Sequence, residues 1–311
     1  MSSLVALALL LGPHPGGTAL PSRRPADSLE ARLAPLAKAH HGKVAIAVKH
    51  FDSGESYYLK ADEPMPTASL IKLAVMVEVY QQAAEGKVKL TDTVTLRDAD
   101  KVTGSGILTE HFSDGATFPL RDAVRLMIAF SDNTATNLVL DRIGVVSTAT
   151  RMAAWGFPNT KIHHKSFRGE KTSVFPERTK RFGLGSTTAR EMVRLLEKLH
   201  RDKLVSREAC KAMREHLRKC DDKDKFTRFL PKDVTVAHKT GSVDGIRTDA
   251  GILYLPSGPV AVCVLTADNE DQRWERDNAG NLLCARVARE VHAYFGARSH
   301  ARPLGRKAQT P

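Results

Sequence analysis

Residues 43–51 read KVAIAVKHF. Val44, Ile46 and Val48 alternate with smaller or polar residues, so the stretch predicts a β-strand. Asp52-Ser53-Gly54 is turn chemistry, and Ser56 to Lys60 supplies a second strand. Upstream, Leu29, Leu33, Leu36 and Ala37 share one face of a helix over 28–40, with Ser28 as its N-cap and Gly42 as its stop. Downstream, helical patterns dominate: 70–85 closed by Gly86, 119–130, 133–143 closed by Gly144, 186–200 and 206–219. Strands return at 234–240, 250–255 and 259–267, parted by Asp244-Gly245 and Pro256-Ser257-Gly258. A helix over 278–295 closes the pattern. Strands early, helices in the middle and strands late predict an α+β fold. One antiparallel sheet (28–66 plus 233–296) is flanked by N- and C-terminal helices, and an all-α domain (67–232) is inserted into it. A site, if there is one, belongs in the cleft between the two parts.

The ends read differently. Leu4 to Leu11 (LVALALLL) is too short to span a bilayer and has the length of a secretory signal's apolar core. Residues 1–27 are therefore expected to be a leader and linker, and the protein to be exported, periplasmic or secreted. No stretch has the length of a membrane helix, so no stable membrane insertion is expected. Residues 297–311 are a basic tail predicted to be disordered.

The formal net charge is +12, which raises the question of nucleic acid. Lys and Arg are spread along the chain, and no RRM, zinc-finger or basic-zipper pattern concentrates them, so no nucleic-acid partner is expected. The cysteines, at 210, 220, 263 and 284, form no CxxC pair and read as buried free thiols. The pairs His40-His41 and His163-His164 lack ligand spacing, and there is no H-E-x-x-H, so no metal and no other cofactor is expected. Trp155 and Trp274 read as packing residues, and His238 as facing away from its neighbour Lys239 on a strand.

Three short patterns carry chemistry. Ser69-Leu70-Ile71-Lys72 is S-x-x-K at a helix start. A serine hydroxyl is a weak nucleophile until a base comes within reach, and a spacing of three on a helix sets the Lys72 amine beside it. A buried lysine near other cations loses pKa and can serve as that base. Ser131-Asp132-Asn133 lies between two helices; its hydroxyl can pass a proton and its Asn can bind an amide. Lys239-Thr240-Gly241 ends a strand, where Lys239 supplies positive charge and Gly241 permits close approach. The Ser242 N–H can join that of Ser69 as an oxyanion hole. Each pattern also has an ordinary structural reading, as a cap, a turn or a strand end.

Their order is more telling than any one of them. S-x-x-K, S-D-N and K-T-G in succession are the signature of class A β-lactamases and penicillin-binding proteins. From about residue 29 to 296 the chain resembles a class A β-lactamase, and Gly104-Ser105-Gly106-Ile107-Leu108 and Ser131 to Leu138 (SDNTATNL) are also similar to family stretches. The resemblance implies a monomer that hydrolyses the amide of a small β-lactam through an acyl-Ser69, without metal or organic cofactor. It gives Lys72, Ser131 and a loop glutamate catalytic roles, and gives Asn133, Lys239, Thr240, Gly241 and Ser242 substrate contacts. The family's glutamate is followed four residues later by Asn, a pattern this chain lacks. Glu170 and Glu177 are the candidates, Glu170 being nearer the family's position. Arg247 is a candidate to bind the substrate carboxylate. The same motifs would serve an enzyme cleaving D-alanyl-D-alanine peptides with slow deacylation. A non-catalytic ligand-binding or sensor domain of the same fold is a third possibility.

Overall fold

The structure is a computed structural model, and it describes residues 28–299. The expected leader and residues 300–311 of the basic tail lie outside the described residues, while residues 297–299, expected to be disordered, continue the last helix. Helix α1 (Leu29–Lys38) comes first among the described residues, with the Ser28 hydroxyl accepting from the Ala31 N–H at 3.1 Å. β1 (Lys43–His50) and β2 (Ser56–Leu59) form a hairpin, and β3 (Met65–Pro66) leads into a 3-10 turn over 68–71 and then α2 (Lys72–Ala84). β4 (Thr93–Thr95), α3 (Leu108–His111) and β5 (Thr117–Pro119) precede α4 (Leu120–Ala129), α5 (Asn133–Ile143) and α6 (Val145–Ala154). β6 (Lys161–Ile162), the short α7 (Gly169–Thr172) and α8 (Pro176–Phe182), and β7 (Gly185–Thr187) follow. Next come α9 (Ala189–His200) and α10 (Arg207–Arg218). Strands β8 (Thr235–Val243), β9 (Ile246–Leu255) and β10 (Gly258–Ala267) return to the sheet, and α11 (Ala279–Ser299) closes the fold.

The five strands run in the order β2-β1-β10-β9-β8 and are antiparallel throughout. The alternation in VAIAV explains how both faces are covered. Val44, Ile46 and Val48 join Val260, Val262, Val264 and Leu253 against α1 and α11. Ala45, Ala47, Ala261 and Cys263 face the other way, where their small size lets α9 lie close to the sheet. Burying a side chain such as Val or Leu is worth about 1.5–3 kcal/mol, so this two-sided core holds the frame rigid beneath the cleft.

Some elements differ from the sequence reading. The segment 186–188 belongs to β7 and to the Thr188 cap, whose hydroxyl accepts from Glu191 N–H, so the helix starts at Ala189 rather than Ser186. β9 begins at Ile246, since the Asp244-Gly245 turn is tight enough to keep the flanking residues paired. α6 was not foreseen; it follows α5 after the single residue Gly144 (φ +80°) and has no side-chain cap to announce it. The helical part also carries two small sheets, β3-β7-β6 and β4-β5. All four cysteines are free and buried.

Candidate active site

Ser69 lies in the 3-10 turn that precedes α2, not in the helix itself. The turn is fastened on two sides: Thr67 N–H donates to Gly185 O in β7 (3.0 Å), and the Thr248 hydroxyl donates to Thr67 O (2.8 Å). Ala68, just before the serine, has φ +45°, and Ser131 has φ +53°. Left-handed backbone at a non-glycine residue costs about 1–3 kcal/mol and persists only where surrounding structure imposes it. Here it flanks both candidate hydroxyls.

Lys72 is fully buried, and its ammonium donates to Ser131 O (2.6 Å), Ser131 Oγ (3.3 Å) and Asn133 Oδ1 (2.8 Å). Those three bonds use the three N–H donors of an ammonium, so Lys72 is anchored to the 131–133 loop rather than to Ser69. Lys239, also fully buried, donates to the same Ser131 Oγ at 3.1 Å and to Thr240 O at 2.8 Å. One hydroxyl therefore bridges two ammonium groups. Burial pushes the Lys72 amine well below the usual lysine range, the Lys239 charge pushes it further, and Asp132 opposes both. Burial lowers Lys239 as well.

Asp132 explains why the loop holds its shape. One carboxylate oxygen accepts from Ala135 N–H (2.7 Å), capping α5, and the other accepts from Ile107 N–H (2.7 Å) and Leu108 N–H (2.9 Å). Asn133 N–H donates to Ser105 O (3.0 Å), so segments 103–108 and 131–134 form one wall. The opposite wall is β8, which is the sheet's edge strand and leaves backbone groups on one side for a ligand to pair with. A Cβ at Gly241 would fall inside contact distance of Thr67 O and within 2.9 Å of Leu70 N. The close approach that this glycine permits is thus that of the Ser69 turn itself.

Ser69, Ser105, Ser131, Lys239, Thr240 and Ser242 all line a cleft of about 290 Å³, with Lys72 and Asn133 behind it. A larger apolar cavity of about 1080 Å³ lies beyond Phe130, between α4 and α10; the hydroxyl paired with a base in its lining is that of Tyr80 on His216, and burial pushes that phenol up to about 12, away from nucleophilic use. Chemistry rather than volume selects the smaller cleft.

Other expected residues do not join it. Arg247 is 1% exposed, and its guanidinium donates to the carbonyls of Val243 (2.7 Å), Ile246 (2.8 Å) and Arg273 (2.8 Å). It does not line the cleft; it ties the β8–β9 turn to the segment carrying Trp274. Glu177 is exposed in the first turn of α8, also outside the cleft lining. Glu170 is in α7, but its side chain lies outside the described residues. Where the same loop meets α5 it presents Ser166 and Phe167. Asn137, one turn beyond Asn133, exchanges hydrogen bonds with the Ser166 backbone (2.8 and 3.0 Å), and Gly104 sits between the Asn133 amide and the Phe167 ring. The Ser166 hydroxyl is buried without a hydrogen-bond partner.

The sequence reading of Trp274 as a packing residue is corrected by the structure, and the place of Cys220 at the cleft has no counterpart in that reading. Trp274 is 68% exposed at the cleft, under the Arg247 guanidinium (4.8 Å from the ring centroid), with its indole N–H on Asp244 (3.0 Å). Cys220 lines the cleft wall. No spacing signal marks either, because tertiary folding brings them there.

Comparison with known proteins is consistent across sequence and structure. The β-lactamase enzyme family matches residues 28–295. The chain is 28% identical to a β-lactamase of Streptomyces cellulosae over 269 residues, 83% of this chain and 84% of that one. A β-lactamase structure from Sphaerobacter thermophilus superposes with a TM-score of 0.75 at 28% identity, covering 86% of this chain and 98% of the other. The structure of PBP-A gives a TM-score of 0.75 at 26% identity, covering 90% of this chain and 100% of that one. A mutant of PBP-A was solved as an acyl-enzyme complex with penicillin G, and it matches at 25% identity over 89% of this chain and 100% of its own.

Proposed function

Because the chain belongs to the β-lactamase enzyme family, we propose that it is a serine hydrolase in which a β-lactam acylates Ser69. The observation that carries the assignment of roles is the Ser131 hydroxyl held between the Lys72 and Lys239 ammonium groups beside Ser69. Lys72, with its depressed pKa, is the base: as the neutral amine it gives up one of its bonds to the 131–133 loop and draws the proton of Ser69. Ser131 then passes a proton to the departing lactam nitrogen, so the C–N bond breaks without releasing a free amide anion. The backbone N–H groups of Ser69 and Ser242 receive the oxyanion, which two such donors favour by several kcal/mol. Lys239 and the Thr240 and Ser242 hydroxyls, which line the cleft, receive the substrate's carboxylate, and Asn133 can reach its amide only by exchanging its bond to Lys72 or to Thr103 O. With Arg247 committed to backbone carbonyls, anion binding falls to these groups. The Leu4–Leu11 apolar run supports export to the periplasm or medium, where such substrates are met, and the enzyme acts as a monomer.

A second reading, that of a penicillin-binding enzyme of D-alanyl peptides with a long-lived acyl-enzyme, is favoured by one observation. Where the 163–184 loop meets α5 the side chains described are those of Ser166 and Phe167, neither of them a carboxylate that could activate water. A mass-spectrometric time course with penicillin tests both readings. An adduct of one penicillin per chain, absent in Ser69→Ala, is expected; no adduct at any time sinks the acylation reading. Steady hydrolysis of a chromogenic cephalosporin identifies a lactamase, and a burst followed by a plateau identifies a penicillin-binding enzyme.

A further inference from the structure

Cys220 ends the turn after α10, its N–H donating to Leu217 O at 3.3 Å, and it reaches the cleft that Ser69 and Lys239 line. Behind it lies His238, 1% exposed, on the strand that carries Lys239. The imidazole Nδ1 is 3.0 and 3.1 Å from the two oxygens of Asp249, which is itself fully buried on β9. The ring is stacked on Phe226 with centroids 6.2 Å apart. Its other nitrogen, Nε2, is buried without a hydrogen-bond partner, and the Cys220 thiol is near enough for thiol and ring to act on each other's charge. The site has been given room: Gly251 faces His238 across the strands, and a Cβ there would collide with the His238 Cβ. A thiol, an imidazole and a carboxylate in sequence is the arrangement that activates a cysteine as a nucleophile.

The charges around it agree. Asp249 raises His238 well above the usual histidine range against the effect of burial, so the ring is the cationic partner of the pair. Burial alone would raise the thiol, but His238 and Lys239 from β8 and the backbone at Asp222 outweigh it and bring it down to about 7. Asp222 and Lys225, after α10, form their own ion pair at 2.7 Å, and Cys284 of α11 is also in the field of Asp249. Cys220 is only 7% exposed, but it is the cysteine that lines the cleft; Cys210, Cys263 and Cys284 are 0% exposed and their thiols are raised, which leaves them inert.

We propose that Cys220 is a covalent modification site of the cleft, an activated thiol that takes up low-molecular-weight disulfides and soft alkylating electrophiles. In the disulfide reaction the Cys220 thiolate attacks one sulfur of the reagent. A new S–S bond forms at Cys220, the reagent's S–S bond breaks, and the second half leaves as a thiolate that solvent protonates. His238 keeps its proton and its bond to Asp249 throughout. A reducing thiol reverses the exchange. Because Cys220 and Ser69 share a cavity of about 290 Å³, an adduct the size of a pyridylthio group obstructs access to the serine.

The test uses the native full chain and dithiodipyridine, with thiols mapped by peptide mass spectrometry. Cys220 is expected to react alone, and its rate to hold down to a midpoint near about 7 rather than the ~8.5 of a free thiol. His238→Gln is expected to slow the reaction at least several-fold at neutral pH and to move the midpoint upward. If Cys220 stays unmodified in the native protein while all four thiols react after denaturation, or if its rate climbs like that of a free thiol, the proposal is overturned. The mapping does not depend on β-lactam chemistry, so it decides the proposal even if the acylation reading fails. The closing of the cleft rests on that reading, and is checked by loss of penicillin adduct on modification, recovery on reduction, and indifference of Cys220→Ser to the reagent.

Discussion

The pair Lys72 and Lys239 shows how one residue sets the chemistry of another. Neither ammonium has a carboxylate as a hydrogen-bond partner; they share the Ser131 hydroxyl, and the Lys239 charge makes that of Lys72 less favourable. Removing Lys239 favours the charged form of Lys72, so the Lys72 pKa rises. The acylation rate needs the neutral amine, and therefore the acidic limb of its pH profile moves to higher pH in Lys239→Gln. Stopped-flow acylation from pH 5 upward reads this directly, and an unmoved limb means that Lys72 is not the base. Ser166 offers the complementary experiment. Its hydroxyl is buried and without a hydrogen-bond partner, on the loop that Asn137 fastens to the Asn133 face of α5. A positioned general base contributes about 10²–10⁴ in rate. Ser166→Glu is expected to shorten the life of the acyl-enzyme by some part of that factor, followed as decay of the penicillin adduct.

At the scale of elements, β8 and the Ser69 turn are fitted to each other at Gly241. Gly241→Ala drives a methyl into Thr67 O and the Leu70 N–H, and overpacking of this kind costs about 1–3 kcal/mol. A fall in the urea midpoint together with slower acylation is expected, because the strand can relieve the clash only by leaving the turn. The boundaries of α5 were legible because Asp132 and Gly144 punctuate them, and β1 because β-branched and small residues alternate along it. The β3, β6 and β7 pairings were not, since strands of two or three residues hold no period. Ser69, Ser131 and Lys239 could be read as one group because three short patterns stand in order. The commitment of Arg247 to carbonyls, and the convergence of Cys220, His238 and Asp249, depend on contacts between distant strands and a turn, which no local spacing encodes. Gly241 reads from the sequence as room for a ligand, and the neighbour it admits in the structure is the protein's own backbone.

Across the whole molecule, two buried histidines make the fold sensitive to acid. His163 spans the 163–184 loop, with Nδ1 2.8 Å from Gly183 O and Nε2 3.1 Å from Ser186 Oγ. His216 meets the Tyr80 hydroxyl at 2.8 Å and ties α10 to α2. Burial, aided by Arg178 and Arg125 respectively, holds each down to about 4. The folded state thus binds fewer protons than the unfolded chain between about 4 and about 6.5, and stability is lost as pH falls through that window. The loss is on the order of 3 kcal/mol per histidine at most. Urea midpoints at pH 7 and 4.5 should diverge in the wild type and converge in His163→Gln/His216→Gln.

The sheet joins the first hairpin to the last three strands, with β1 against β10 and the whole helical part between them in sequence. Pairings so remote carry a loop-closure penalty before any contact repays it, which makes folding slow. The Ser69 turn is pinned by Thr248, and the cleft is walled by β8, both near the far end of the chain. A chain cut before residue 235 keeps its S-x-x-K and S-D-N motifs yet has no site in which to use them. Catalytic competence is therefore among the last things this chain acquires as it folds, and labelling by penicillin during refolding should lag behind the appearance of helix.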